Sequence, residues 1–257
     1  MNKFKELYSY KEMIINLTLY DLRTRYKGSV FGFLWTFLNP LLLLGIYSLV
    51  FSTVMRMDID YYYIFMFIGL LPWIMFQSSL QVGTGSIVRN SNLIKKIYFP
   101  REVLPLSVLL GSLINYLFGL IILIPFLFFL KLKLSIIIIW FPIVLLIHLI
   151  LTFGLILLFS SLNVYFRDVE HIIGVLVTAW FYFTPVIYPS DLIPKKYEHI
   201  FSLNPLKPIF DLYHDLFYYG RVPVLNTVWI CLLVAIIFFS LGWIVFAKLN
   251  KNFAEEI

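Results

Sequence analysis

The stretch VLPLSVLLGSLINYLFGLIILIPFLFFL, Val103–Leu130, lies between Glu102 and Lys131 and holds no Asp, Glu, Lys or Arg. A helix of about 20 apolar residues crosses a hydrocarbon core of about 30 Å, so this stretch is long enough to span a bilayer. Its run Ile121–Leu130 does not alternate apolar with polar residues, as the strand of a membrane β-barrel would. Outward from it, five more gaps of at least 20 residues lack acidic and basic side chains: those bounded by Lys27 and Arg56, Asp60 and Arg89, Lys133 and Arg167, Glu170 and Asp191, and Arg221 and Lys248. The reading is an all-α membrane protein with six transmembrane helices in one domain over residues 1–257. The expected spans are roughly 30–55, 61–86, 105–130, 136–162, 170–188 and 224–247.

Composition agrees. The chain is 61% hydrophobic and 13% charged, too little charge to cover a soluble globule of this size. The first 27 residues carry no short apolar region followed by a small-residue cleavage site, so the N-terminus is expected to be mature. Cys231 has no second cysteine to pair with and reads as a packing residue. The net charge of +6 suits the cytoplasmic excess of Lys and Arg in membrane proteins and calls for no nucleic acid. With six spans and the N-terminus inside, 13 of the 20 Lys and Arg residues fall in the cytoplasm and 7 outside. Both termini are therefore expected to be cytoplasmic.

Residues 8–27 precede the first span. Ile15, Leu19, Leu22 and Tyr26 form one helical stripe, and Met13, Leu17 and Tyr20 form a second strip. A helix in the cytoplasmic interface, packing on lipid and protein, fits this pattern. Prolines 40, 72, 125, 142 and 185 sit in or near spans, where each removes a backbone donor and favours a kink. The cytoplasmic connection Arg89–Arg101 sets Arg89, Lys95, Lys96 and Arg101 around Leu93, Ile94, Ile97 and Tyr98. A short helix with an apolar side follows, either docking on a cytoplasmic partner or resting on the membrane. Residues 189–223 are too apolar for a solvated loop and too interrupted to span. Ile209, Leu212, Tyr213 and Leu216 share a face opposite Asp211 and Asp215, so one or two short helices are expected to enter the outer leaflet or cap the bundle.

Catalytic chemistry is missing. No G-x-x-x-x-G-K-[ST] loop occurs, so any ATPase is a separate chain. No carboxylate lies mid-span, and no catalytic or metal cluster can be assembled. His148 is read as bonded to a neighbouring helix, and Arg167, Asp168 and Glu170 as an ion pair local to their turn. Gln77, Gln81 and Thr84 share a helical face, to line a hydrated path or bond a neighbour. Aromatic density is high in two spans: Phe33, Trp35 and Phe37 in the first, then Trp180, Phe181, Tyr182, Phe183 and Tyr188 in the fifth. Mid-span rings offer sugar C–H groups a flat surface without a deep site.

Three stretches carry a family resemblance: LYDLRTRYKGSVFGFLWTFLNPLL from Leu19 to Leu42, SNLIKKIYFPREVLP from Ser91 to Pro105, and NVYFRDVEHI from Asn163 to Ile172 followed by FTPVIYP and LNPLKPIFDLYHDLFYYG, ending at Gly220. Together they resemble the transmembrane subunits of ATP-binding-cassette exporters of the polysaccharide and polyol-phosphate type, the O-antigen and teichoic acid permeases. The resemblance implies a homodimer in a bacterial inner membrane, bound to two cytoplasmic ATPase subunits that carry ATP and Mg, with no cofactor in this chain. It implies export of a lipid-linked glycan past the aromatic spans, with Phe33, Trp35, Phe37, Gln77, Gln81, Trp180, Tyr182, Phe183 and Tyr188 as path residues. Asn92, Leu93, Ile94, Lys95, Lys96, Ile97, Tyr98 and Phe99 correspond to the coupling helix. Arg23, Arg25, Tyr26 and Lys27 belong to an interface helix making a second ATPase contact, and 189–223 to short re-entrant helices. A drug or antibiotic exporter of the same superfamily is the alternative within transport. A glycan-processing membrane enzyme would need a carboxylate or histidine cluster absent from the sequence, and a scaffold would need no ATPase beside it.

Overall fold

The computed structural model describes residues 3–25, 27–54, 59–129 and 139–256, without the side chains of residues 4, 25, 52–54, 129 and 254. Tyr26, Arg56, Lys131, Lys133 and the expected span limits at residues 55, 130 and 136 lie outside the described residues. Among the described residues every regular element is helical. Two helices open the chain, α1 Lys3–Ser9 and α2 Lys11–Arg25. They lead to α3 Trp35–Ser48, α4 Tyr62–Thr84, two short helices, α5 Ser86–Arg89 and α6 Ser91–Lys96, then α7 Val103–Phe129, α8 Trp140–Tyr165 and α9 Asp168–Phe183. After α9 come α10 Glu198–Ser202, α11 Lys207–His214, α12 Leu225–Leu249 and α13 Phe253–Glu256.

Five helical stretches are long and apolar enough to cross a membrane: Gly32–Phe51, Tyr62–Thr84, Val103–Phe128, Trp140–Tyr165 and Leu225–Asn252. The expected fifth span is shorter than its charge-free gap. Its helix α9 has 16 residues, about 24 Å at 1.5 Å per residue. It stops at Phe183 because Thr184 precedes Pro185 and is extended, with φ −111° and ψ 135°, the conformation a residue before proline favours.

The bundle is organised around α4, which is buried on nearly every face and touches α3, α7, α8, α9 and α11. Lipid gives helices no hydrophobic reason to associate, so close packing and hydrogen bonds must hold them. The clearest case is α8 against α12. A Cβ on Gly154 would stand 2.5 Å from the Phe239 Cα, and one on Gly242 would run into the Gly154 carbonyl oxygen, so two glycines let these backbones touch. Cys231 is buried in α12, as packing required.

A second apolar cluster defines one end, termed the base. It joins Ile14 of α2, Ile94, Phe99, Val103 at the start of α7, Val164 near the end of α8, Phe246 of α12 and Phe253. Both chain ends and the 85–102 connection therefore share the base. At the opposite end, Ile209, Leu212, Tyr213 and Leu216 are all buried, and α11 sits among α4, α8 and α12 as a cap.

On the leading helix the second expected strip packs on the protein at Met13 and Leu17, and the first faces outward. Ile15 and Leu19 are exposed, whereas Ile14 and Thr18 are buried, with Tyr10, Met13 and Leu17 packed beside them. Thr18 hides in an apolar environment because its hydroxyl donates to the Ile14 carbonyl at 2.8 Å and lies 3.3 Å from the Ser107 carbonyl of α7. A satisfied hydroxyl can be packed like a methyl group, and hydrophobicity alone mistakes its face.

Candidate functional site

Two regions can carry transport chemistry. The first is a cleft of about 110 Å³ between α3, α4 and α9, lined by Tyr47, Trp73, Gln77, Phe181 and Tyr182 among others. Tyr47 stacks on Phe181 at 5.9 Å between centroids, and Trp73 meets Phe181 at 5.4 Å. The Trp73 indole N–H donates to Gln77 Oε1 at 3.0 Å, which leaves the Gln77 amide N–H groups for a further acceptor. Tyr182 is exposed and continues into an open groove of about 560 Å³ along α9, with Glu170, Gly174, Val175 and Thr178. Flat rings beside one amide suit a hydroxylated ligand: the rings meet C–H faces and the amide meets hydroxyl groups.

Of the path residues expected from sequence, the structure brings Gln77 and Tyr182 together. Trp180 packs on Phe76 and donates its indole N–H to Asn204 Oδ1 at 2.7 Å. Phe183 packs on Phe201. Tyr188 donates to the Tyr182 carbonyl at 2.7 Å, close to the cleft but occupied with backbone. Phe33 and Phe37 turn to Phe118 of α7. Trp35 bonds Ser29 Oγ at 2.8 Å and lines a separate pocket with Thr36, Asn39 and Asn115. Gln81 is half-buried one turn beyond Gln77, and Thr84 is buried with its hydroxyl on the Leu80 carbonyl, so the polar face of α4 is not one continuous path. Sequence reasoning missed Tyr47 and Trp73 as cleft residues, and it counted Phe181 among the rings of the fifth span without naming it as a path residue. The signal was the four-residue spacing of Trp73 and Gln77, which puts them on one helical face.

His148 and the α8–α9 turn were read as structural. His148 Nδ1 lies 3.3 Å from the Tyr213 hydroxyl of α11, so it does join a neighbouring helix. At the turn the partner is different from the one expected: Glu170 pairs with Arg89 at 3.4 Å, tying α9 to α5 rather than closing its own turn. The Glu170 backbone N–H adds a 3.1 Å bond to Asn163 Oδ1.

The second region is a basal groove of about 650 Å³ between the α6 connection and the two chain ends, with Lys3, Lys95, Tyr98, Arg101 and Lys251 on its wall. The expected coupling helix is short. It ends at Lys96, and Ile97 turns extended at φ −133°, ψ 138°. Asn92, Lys95, Lys96, Ile97 and Tyr98 are exposed, Tyr98 at 87%. Leu93 is half-buried, and Ile94 and Phe99 are buried in the basal cluster. Ile94 is thus a foundation of the connection, and Ile97 and Tyr98 are its outward surface. On the leading helix Arg23 is exposed, as is Lys27 just beyond it; the Arg25 side chain and Tyr26 fall outside the described residues. Burial pulls the Arg101 pKa below its ordinary value, while Glu102 and Tyr98 beside it pull it back up.

The model of the family described as ABC-2 type transporter matches residues 13–218. This chain belongs to that family. An O-antigen export system permease protein RfbA of Myxococcus xanthus is 37% identical over 259 residues, with 98% of each chain covered. A protein of the same name from Klebsiella pneumoniae is 38% identical over 247 residues, covering 95% of this chain and 94% of its own. The polysialic acid transport protein KpsM of Escherichia coli is 27% identical and covers 76% of this chain and 77% of its own. The matched family region begins in α2 and runs to the end of the far-end cap, so it contains both the cleft and the basal connection.

Proposed function

We propose that this chain is the membrane subunit of an ATP-driven exporter that moves a lipid-linked polysaccharide, of O-antigen type, across the bacterial inner membrane. The observation that carries the reading is its similarity, across nearly the whole chain, to permeases named for O-antigen export. The aromatic cleft with its single amide supports a glycan more than a hydrophobic drug, which would gain nothing from Gln77. ATP hydrolysis belongs to a separate partner chain, and two copies of each subunit form the complex.

The base is the cytoplasmic side in this reading. Lys and Arg concentrate there, as on cytoplasmic faces generally. The chain crosses six times: α8 ends at the base and α12 starts at the far end, so α9 and the residues after it make the fifth passage, with the α10–α11 segment entering from outside as a cap. The exposed Ile97 and Tyr98, beside Lys95 and Lys96, receive the ATPase, and the leading helix adds a second contact. Substrate passes along α9 and α3, whose outward faces are exposed in a single copy: Val175 and Tyr182 on one, Leu42 and Ile46 on the other.

The test is reconstitution with an ATP-binding subunit from the same organism that co-purifies with this chain. Proteoliposomes holding both subunits and a fluorescent polyprenyl-diphosphate glycan should show ATP-dependent loss of accessibility on the ATPase side. Efflux of a hydrophobic dye with no movement of the glycan would replace this reading with that of a drug exporter.

A further inference from the structure

Two consecutive residues between the α6 connection and α7 reach in opposite directions. Glu102 is 1% exposed and accepts the Lys3 ammonium at 3.0 Å. Arg101 donates through Nη1 to the Asn250 backbone carbonyl and, at 3.0 Å, to Asn250 Oδ1. The guanidinium also lies over the Phe253 ring, 5.7 Å from its centroid. Phe253 is fully buried against Phe246 of α12 and Tyr165 of α8, and the Tyr165 hydroxyl returns to the Leu249 carbonyl at 3.1 Å. Arg101 therefore holds the residues that directly follow the final long helix at two points, Asn250 and Phe253.

The backbone already joins the connection to α7, since residues 97–102 run directly into Val103. It provides no route to α12, which is more than a hundred residues away in sequence. The two ties also differ in kind. The Lys3 side chain is 49% exposed, so water competes for it. Arg101 instead combines two hydrogen bonds from Nη1 with a planar contact over a fully buried phenylalanine ring.

We propose that Arg101 is a positioning residue that makes the base of α12 move with the α6 connection, so that a displacement of the connection reaches the last long helix as well as α7. The inference rests on the reading above that Ile97 and Tyr98 receive the ATPase. Without that tie only the apolar contacts of the basal cluster join the connection to α12, which can slide, so α12 would lag when the connection moves and the exporter would hydrolyse ATP with little carriage of substrate. Tyr165, Leu249 and Phe253 form the seat that Arg101 holds in register.

The experiment uses the full complex with its ATPase in proteoliposomes carrying the fluorescent lipid-linked glycan. Arg101→Gln should assemble normally and hydrolyse ATP within about twofold of the parent, while export falls at least tenfold. A Cys231→Ala background carrying Arg101→Cys and Asn250→Cys then replaces the tie with a short reducible thiol crosslinker. Export should return with the crosslink and vanish on reduction, a reversal that a merely structural role would not show. Export by Arg101→Gln at the parental rate overturns the proposal, and so does lost export that the crosslink fails to restore. Tyr98→Asp in the parent tests the underlying reading separately. Its full export would remove the premise that the connection receives the ATPase, and the proposal with it. Its lost export beside normal export by Arg101→Gln would overturn the Arg101 tie alone.

Discussion

The two ends of the bundle are held by different chemistry. At the far end most ties between elements are neutral and buried, with Asp211 the exception, paired with Lys207 and accepting from Ser190. Asn204 accepts from Trp180 and from the Leu206 backbone N–H and donates to the Phe183 carbonyl and Thr184 Oγ1. Tyr62 donates to the Ile187 carbonyl at 2.7 Å, and His214 stacks on Phe65 at 3.9 Å while contacting its carbonyl. At the base the ties are charged and lie nearer water: Lys3 with Glu102, Arg89 with Glu170, and Arg101 with Asn250. Neutral buried bonds have no solvent to exchange with and fix a geometry, whereas ion pairs at a wet surface break and reform with modest change in free energy. The contrast fits a cap that keeps its shape and a base that responds to a partner.

The strongest test of that contrast is Asn204→Leu. It leaves the part-buried Trp180 indole N–H and the buried Leu206 backbone N–H without partners, at about 1–3 kcal/mol for each unsatisfied group. The variant should lose about 2–5 kcal/mol, read as a large fall in the thermal midpoint of the detergent-purified protein. A fall of only a few tenths would mean that the far end is as soft as the base. Lys3→Ala comes next, because it strips the ammonium bonded at 3.0 Å from a carboxylate that is 2% exposed. A loss of about 1–3 kcal/mol is expected, and Glu102→Leu placed beside Lys3→Ala should recover most of it. A recovery near zero would mean that the cost is not that of an unpaired buried carboxylate.

Much of this architecture was legible in the sequence, for reasons particular residues make plain. Charge-free gaps located the long helices because an ionised side chain is costly in hydrocarbon. The same rule overreached at Glu170–Asp191, since a lack of charge says nothing about where Thr184 and Pro185 bend the backbone. Which helix stands at the centre was invisible: α4 is no more apolar than its neighbours, and its burial depends on close approaches such as Gly83 to Ile156. The bonding role of His148 could be read, but its partner Tyr213, 65 residues away, could not. At the candidate site Gln77 and Tyr182 were legible as polar and aromatic residues in spans. Trp73 could have been found from its four-residue spacing to Gln77, whereas Tyr47 and Phe181 join them through tertiary packing that periodicity does not encode.

Tyr62→Phe removes one buried hydroxyl without changing the ring, and it leaves the Ile187 carbonyl with one acceptor site unused. Carbonyl oxygens tolerate this better than donors do, so the cost is about 1 kcal/mol. The thermal midpoint should fall by a few degrees, and the fall should not depend on salt, because no charge is involved. A salt-dependent fall would break the division between a neutral far end and a charged base.

Arg89→Ala should have the smallest effect and discriminate most finely between the two ends. Its pair with Glu170 leaves the side chains 48% and 41% exposed, and exposed pairs contribute about 0.2–1 kcal/mol. Arg89 also donates to the Val82 carbonyl at 2.7 Å, near the end of α4, so the variant loses a helix-end bond as well as an ion pair. The ionic share is screened by salt over about 8–10 Å at 0.1–0.15 M, whereas the carbonyl bond is largely insensitive to it. Melting parent and variant at 50 mM and 500 mM salt, on the order of a threefold change in screening length, separates the two shares. A gap that closes at high salt assigns the tie between α5 and α9 to charge. A gap that persists assigns it to the cap on α4, and the base would then hold itself partly by the same neutral chemistry as the far end.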